Sequence, residues 1–248
     1  MYANLKKKYG QNFLIDKNIL SKITNLIPNK NLDILEIGPG DGKLTDKIIK
    51  YNPSKLTLVE IDKDLIRNLS IKYSSYKFIN IINENILNLK TIDKFDLVIS
   101  NTPYNVSSQI IVKLSLLSKP PSKLILMFQK EFAQRLLDKK INSINSLIKC
   151  FYNIKLNFHV GKNCFRPIPK VDSSVLTFSL KKELLIKKDE IEKFILFKRN
   201  LFSHKRKILR NLLKNYNLEK DFDLNLRVEN LELATLIEIF RASNLKIY

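Results

Sequence analysis

The sequence predicts a doubly wound, mostly parallel α/β sheet followed by a small all-helical C-terminal domain. Three observations carry that prediction. Between residues 33 and 139 short apolar runs alternate with segments of helical periodicity, the pattern of strands joined by helical crossovers. The runs are apolar at nearly every position rather than every second one, as in strands covered on both faces. Beyond residue 181 the strand pattern stops and only helical spacing remains, which sets the expected boundaries at 1–181 and 182–248.

Taken in order, Asp16 is an N-cap for a helix with apolar residues at Ile19, Leu20, Ile23, Leu26 and Ile27, and Pro28 closes it. "DILEIG" then reads as a strand, "KLTDKIIKY" as a helix, "KLTLVEI" as a strand, "KDLIRNLSIKY" as a helix and "KFINII" as a strand. "FDLVIS" and "KLILMF" are strands, each followed by a helix, "SSQIIVKLSLL" and "KEFAQRLLDK". After residue 150 come two β-rich stretches, "CFYNIKLNFHV" and "VDSSVLTFSLKK", separated by the proline-broken "FRPIPK". They are expected as an antiparallel hairpin at one edge of the sheet.

A chain of 248 residues with 44% hydrophobic residues can bury a core without staples. Its 44 Lys and Arg against 24 Asp and Glu leave a formal charge of +20. An excess of that size points to a polyanionic partner, nucleic acid first and an anionic membrane surface second. The only cysteines are Cys150 and Cys164 and the only histidines His159 and His204, which argues against a zinc site or a disulfide framework. The basic N-terminus lacks the apolar core of a signal peptide, and no run approaches a membrane span. A cytoplasmic protein with no membrane association and no metal is expected, and a monomer.

The turn "LEIGPGDGKLT" places Gly38, Gly40 and Gly42 between the first sheet strand and a helix, so that backbone N–H groups can approach a ligand closely. It is not a P-loop, because Leu44 follows Gly42-Lys43 and Ile37 stands where the first glycine belongs. It also misses the dinucleotide fingerprint, since its third glycine comes one residue early. The pattern E-x-G-x-G-x-G resembles motif I of S-adenosylmethionine-dependent methyltransferases. Glu60 ends the next strand about twenty residues on, where doubly wound folds place a carboxylate against ribose hydroxyls. "NENILNL" supplies Asn85 where methyltransferases commonly hold the adenine amine with an acid, and an Asn carbonyl can accept the same hydrogen bond without charge assistance.

At the end of the fourth strand, Asn101-Thr102-Pro103-Tyr104 resembles the [DN]-x-P-Y signature of methyltransferases acting on exocyclic nitrogens. The adenine N6 lone pair is delocalised into the ring and attacks poorly. An Asn101 side-chain oxygen and a Thr102 backbone carbonyl accepting its two hydrogens would localise that lone pair. Pro103 fixes the carbonyl's direction, and Tyr104 offers a face to an extruded base. The loop holds no cysteine, as a cytosine C5 mechanism would require.

"KKKYGQNFL", "LEIGPGDG", "VEID", "NTPYNVSS", "FQKEFAQRL", "FRPIPKVDSSV" and "HKRKILRNLL" together resemble the KsgA family of small-subunit rRNA adenine dimethyltransferases across most of the chain. The resemblance implies N6,N6-dimethylation of two adjacent adenosines in the 3′-terminal hairpin loop of small-subunit rRNA, with S-adenosylmethionine as donor and S-adenosylhomocysteine as product. The implied partners are that rRNA and the assembling small subunit. Carried over by position, Gln11, Asn12, Leu14, Gly38, Gly40, Glu60, Ile61, Asn85, Ile86 and Asn101 enclose the cofactor, and Phe165 sandwiches the flipped base against Tyr104. The chain departs from the family in carrying Asn85 for Asp and Thr102 for Leu, and in lacking a Y-G-R-L-[ST] run near "DKKINSINSLIKC".

Residues 193–214 carry eight Lys or Arg and no acid, and Lys205, Arg206, Lys207 and Arg210 are expected to contact RNA phosphates. Within the class, the erythromycin-resistance type of large-subunit rRNA dimethyltransferase is the nearest rival, with a DNA N6-adenine methyltransferase third. From another class comes a catalytically idle RNA-binding assembly factor, which the intact glycine turn and Asn101 argue against.

Overall fold

The computed structural model describes residues 11–28, 31–89 and 95–245. The basic run at 6–8 quoted above lies outside them. By Cα packing the chain separates into two compact units, one holding the residues up to Gln134 with Asn153–Leu180, the other Arg135–Tyr152 with the residues from Lys181 onward. The last junction, 180/181, falls one residue before the 181/182 boundary expected from sequence. Segment 135–152, which that boundary groups with the sheet, packs with the C-terminal unit instead.

In the first unit, strand β1 (Phe13–Leu14) precedes helix α1 (Lys17–Thr24), whose N-cap Asp16 accepts from the Asn18 and Ile19 amides at 2.8 and 2.9 Å. Next come β2 (Asp33–Ile37), α2 (Lys43–Ile48), β3 (Lys55–Glu60), α3 (Lys63–Lys72), β4 (Ile79–Asn83), β5 (Leu97–Asn101), α4 (Ser107–Ser115), β6 (Lys123–Gln129) and α5 (Lys130–Leu137). Helix α6 (Asn145–Phe151) leads into β7 (Tyr152–Val160), β8 (Phe165–Arg166) and β9 (Ser173–Leu180).

The large sheet has the order β4-β3-β2-β5-β6-β9-β7, parallel from β4 to β6, with β9 antiparallel to β6. The two strands after residue 150 are neighbours at one edge, with the later one, β9, on the inside. Leu97, Val98 and Ile99 of β5 are all fully buried, so successive side chains on both faces are covered. The chain winds outward from β2 through β3 to β4 and returns to β5 on the other side of β2. The carboxyl ends of β2 and β5 therefore flank a topological switch point, where open α/β sheets leave a crevice. β1 pairs with β8, Leu14 opposite Phe165.

The C-terminal unit contains α6, α7 (Ile191–Ser203), α8 (Leu209–Leu212), β10 (Tyr216–Leu218), α9 (Leu233–Ala242) and β11 (Ser243–Leu245). Phe197 packs edge-on against Tyr216 and tilted against Phe240, and these rings join Phe194, Leu201 and Leu236 in its core. The unit is helical but not all-helical, because β10 and β11 form a two-stranded antiparallel ribbon. Their three-residue length falls below any periodicity signal. Helix α6 also escapes sequence reading, since its start is set by side chains: Asn142 Oδ1 accepts from the Ile144 and Asn145 amides, and Asn145 Nδ2 donates to the carbonyls of Arg135, Asp138 and Lys140.

Candidate active site

At the switch point lies a cleft of about 310 Å³, lined by the turn after β2, the ends of β3 and β4, the loop after β5 and the segment around β1. All ten residues assigned to the cofactor by sequence line it, as do Thr102, Pro103 and Tyr104.

The glycine turn has the geometry its sequence demands. Gly40 has φ of +61°, and a Cβ there would stand 2.6 Å from the Phe13 ring. Gly42, the N-cap of α2, has φ of +80°, and a Cβ would stand 2.4 Å from Tyr73 Oη. That hydroxyl lies 2.8 Å from both the Gly42 carbonyl and Asp46 Oδ1, so the turn is buttressed from α3. Both glycines combine a left-handed backbone with a close neighbour, and neither tolerates a side chain.

Glu60 is 7% exposed and accepts three backbone N–H groups, from Ile61 at 2.9 Å, Asp62 at 3.0 Å and Gly40 at 3.2 Å. Burial pushes its pKa up, and the three hydrogen bonds work against that rise. A carboxylate has about four acceptor sites, which leaves capacity for a ligand hydroxyl. The next acid, Asp62, caps α3 and takes a 2.9 Å hydrogen bond from Gln11 Nε2, tying the N-terminal segment over the turn. Ile61, 39% exposed, and buried Ile86 add apolar walls. Asn85 Oδ1 accepts from the Leu87 amide at 3.0 Å, which leaves its second lone pair. Lys113 of α4 secures the same loop by donating to the Leu87 and Leu89 carbonyls at 2.8 and 2.7 Å.

At the other end of the cleft, Asn101 Nδ2 donates to the Asn12 carbonyl at 2.8 Å. That bond identifies the nitrogen and leaves Oδ1 as the acceptor end of the amide. The Thr102 amide donates to the Met127 carbonyl at 3.2 Å, continuing the sheet ladder, while its buried Oγ1 has no partner among the described residues. Pro103 has φ of −56° and ψ of 123°, and its carbonyl accepts from Ser107 Oγ at 3.0 Å and the Val106 amide at 3.2 Å. Tyr104 Oη lies 2.6 Å from Ser173 Oγ, and burial raises the phenol's pKa.

Phe165 stands apart from the other expected site residues: the ring is fully buried in the core cluster that also holds Leu14 and Val175, and it does not line the cleft. Its strand pairing with Leu14 turns it into the core. Sequence reasoning also passed over Phe13, Asp62, Lys113 and Ser173, whose roles depend on partners distant in the chain. Glu36 it quoted only as a motif letter. This residue is 1% exposed, accepts from Thr45 Oγ1 at 2.7 Å, and desolvation pushes its pKa up to about 8.

On the C-terminal unit, Lys205, Arg206, Lys207 and Arg210 are all exposed, the first three in the turn between α7 and α8. Arg210 donates to Asn225 Oδ1 at 3.2 Å. Lys198, in the same basic stretch, is instead buried and donates to the Ser143 carbonyl. Among the described residues no group of three or more His, Cys, Asp or Glu could hold a metal, and no helix is long and apolar enough to cross a membrane.

A mostly parallel sheet of this order, with a glycine turn, a buried acid at the next strand end and an Asn-x-Pro-Tyr loop sharing one cleft, defines a methyltransferase of the S-adenosylmethionine-dependent class. The family described as Ribosomal RNA adenine dimethylase matches residues 2–244, and the chain belongs to it. It is 42% identical over 227 residues to Ribosomal RNA small subunit methyltransferase A of Mycoplasma mobile, covering 89% of this chain and 87% of that relative. A crystal structure of a dimethyladenosine transferase from Plasmodium falciparum matches with a TM-score of 0.80 at 26% identity, over 92% of this chain and 95% of that one. The 23S rRNA methyltransferase ErmE shares the fold, with a TM-score of 0.71 at 21% identity over 93% of this chain and 98% of that one.

Proposed function

We propose that this chain dimethylates N6 of two adjacent adenosines in the 3′-terminal hairpin loop of small-subunit rRNA, acting in the cytoplasm on the assembling small subunit. The observation that carries this reading is the Asn101 amide, whose nitrogen is tethered to the Asn12 carbonyl so that its oxygen is left to accept a hydrogen. S-Adenosylmethionine fits the other end of the cleft: Glu60 retains acceptor capacity for ribose hydroxyls, Ile61 and Ile86 supply apolar walls for adenine, and Asn85 retains a lone pair for its amine. When bound it supplies an electrophilic methyl group.

The residues of the chain do the positioning. Asn101 Oδ1 and the Thr102 carbonyl accept the two N6 hydrogens, which localises the nitrogen lone pair, and the rigid Pro103 turn holds the carbonyl in place. Tyr104 stacks on the extruded base, and stacking worth roughly 1–3 kcal/mol offsets much of the few kcal/mol that flipping costs. Orientation of this kind can lower a barrier by about 7–11 kcal/mol. No strong general base is required, since the methylated amine is acidic enough to lose its proton to water. The exposed Lys205, Arg206, Lys207 and Arg210 grip phosphates.

The test is transfer of labelled methyl groups to undermethylated small subunits, followed by mapping of the modified nucleotides. N6,N6-dimethyladenosine at two adjacent loop positions is expected. Modification of large-subunit RNA alone would transfer the assignment to the resistance-type activity, and tight binding without transfer would make the chain an assembly factor. Replacing Lys205, Arg206 and Arg210 together should flatten the salt dependence of RNA binding, by roughly 0.7–0.9 in log–log slope for each phosphate that is no longer neutralised. An unchanged slope would move the RNA surface elsewhere.

A further inference from the structure

From the 2.6 Å contact between Tyr104 Oη and Ser173 Oγ we infer that Ser173 is a positioning residue, which holds the axis of the Tyr104 ring in place before the target base arrives. The inference rests on the proposed stacking of that base on Tyr104.

The two residues are 69 positions apart, and among the described residues neither hydroxyl has another hydrogen-bond partner. Ser173 is fully buried, and a buried hydroxyl is costly unless bonded. Its bond to Tyr104 is what satisfies it. The anchor itself is rigid. Ser173 opens β9 opposite Gln129, and the preceding Asp172 is clamped on both sides: its carbonyl accepts from the Lys130 amide at 2.9 Å and its carboxylate from the Lys162 amide at 3.0 Å. The adjacent Ser174 turns to the opposite face of the strand, where its Oγ lies 2.8 Å from His159 Nδ1. Of the serine doublet, Ser173 is the one turned towards Tyr104.

The Tyr104 backbone is already restrained by the hydrogen bonds to the Pro103 carbonyl, so side-chain rotation is the freedom left to remove. A ring pinned through its hydroxyl is ordered on folding rather than at the encounter with RNA, so less ordering entropy is lost when the base stacks. The contribution falls on the step after docking and leaves the cofactor end alone.

The test is a double-mutant cycle of Ser173→Ala and Tyr104→Phe, read by single-turnover methyl transfer to undermethylated small subunits. Each single variant should lower kcat about five- to tenfold, the scale of one hydrogen bond. KM for the subunit and Kd for S-adenosylmethionine should stay within about twofold, and the double variant should be no slower than either single one. Tyr104→Phe breaks the bond without touching β9, so the cycle does not rest on Ser173→Ala alone, and a urea midpoint for each variant checks folding. Losses that multiply in the double variant, an unchanged kcat in Tyr104→Phe, or a loss confined to KM would overturn the inference while leaving the methyltransferase reading intact. No transfer by the unmodified chain would overturn both.

Discussion

The two ends of the cleft are built by different means. At the cofactor end, Glu60 is held by the amides of the two residues that follow it and of Gly40 twenty residues back, and the turn keeps its shape through glycine backbones. At the base end the hydrogen bonds run between side chains and remote segments: Asn101 to Asn12 across 89 residues, and Tyr104 to Ser173 across 69. Short of a change to proline, a point substitution leaves a backbone donor in place, whereas any truncation removes a side-chain one. The donors of the cofactor end are therefore fixed by its backbone, with the Glu60 carboxylate as their common acceptor, and the base end is a set of separately adjustable side-chain contacts.

The largest effect expected from this contrast is at Asn101. Asn101→Ala removes an acceptor that works in the transition state and should lower methyl transfer by about 10²-fold or more, with RNA affinity nearly unchanged. A turnover close to normal would break the assignment of the base end. Gly40→Ala comes next and probes the scaffold: a Cβ at φ of +61° and 2.6 Å from Phe13 forces the turn to shift. Left-handed strain alone costs about 1–2 kcal/mol, so affinity for S-adenosylmethionine, read by calorimetry, should fall about tenfold or more while RNA binding holds. Equal losses of both would mean that the two ends are not separable.

A third test lies beneath the turn. Burial lifts the Glu36 pKa from 4.5 to about 8, so the folded protein binds a proton that the unfolded chain releases. The associated stability is complete below about pH 4.5 and drains away as the pH rises towards 8. Glu36→Gln keeps the shape and removes the titration. Its urea midpoint should match that of the parent at acid pH and exceed it at pH 8, by a few kcal/mol at most in stability. A parallel pH dependence in the two proteins would place the buried proton elsewhere.

The same contrast explains what could be read in the chain. The sheet was legible because β2, β3, β5 and β6 are nearly unbroken apolar runs with helices between them. Cofactor-end residues were legible because Gly38, Gly40 and Glu60 sit at fixed distances along one strand–turn–helix–strand unit. Asn101 and Tyr104 could be found as a tetrapeptide. The tether of Asn101 to the Asn12 carbonyl, the contact of Ser173 with Tyr104 and that of Asp62 with Gln11 could not, because a hydrogen bond spanning 51 to 89 residues leaves no periodicity. The burial of Phe165 was illegible for the same reason: it sits in a strand paired opposite Leu14, far off in the sequence.

Thr102 offers the smallest and most discriminating substitution. It lies between the two functional residues of the base end, yet its Oγ1 is buried without a hydrogen-bond partner among the described residues, while its amide is committed to the Met127 carbonyl. If its backbone carbonyl alone meets the substrate amine, the side chain contributes shape and nothing else. Thr102→Val retains that shape and removes an unsatisfied hydroxyl, so stability should rise by up to about 1 kcal/mol with kcat unchanged. A fall in kcat of about threefold or more in a variant at least as stable would instead assign the hydroxyl a hydrogen bond made only in the working complex. The base end would then hold three adjustable side-chain contacts rather than two, with the third made to the substrate itself.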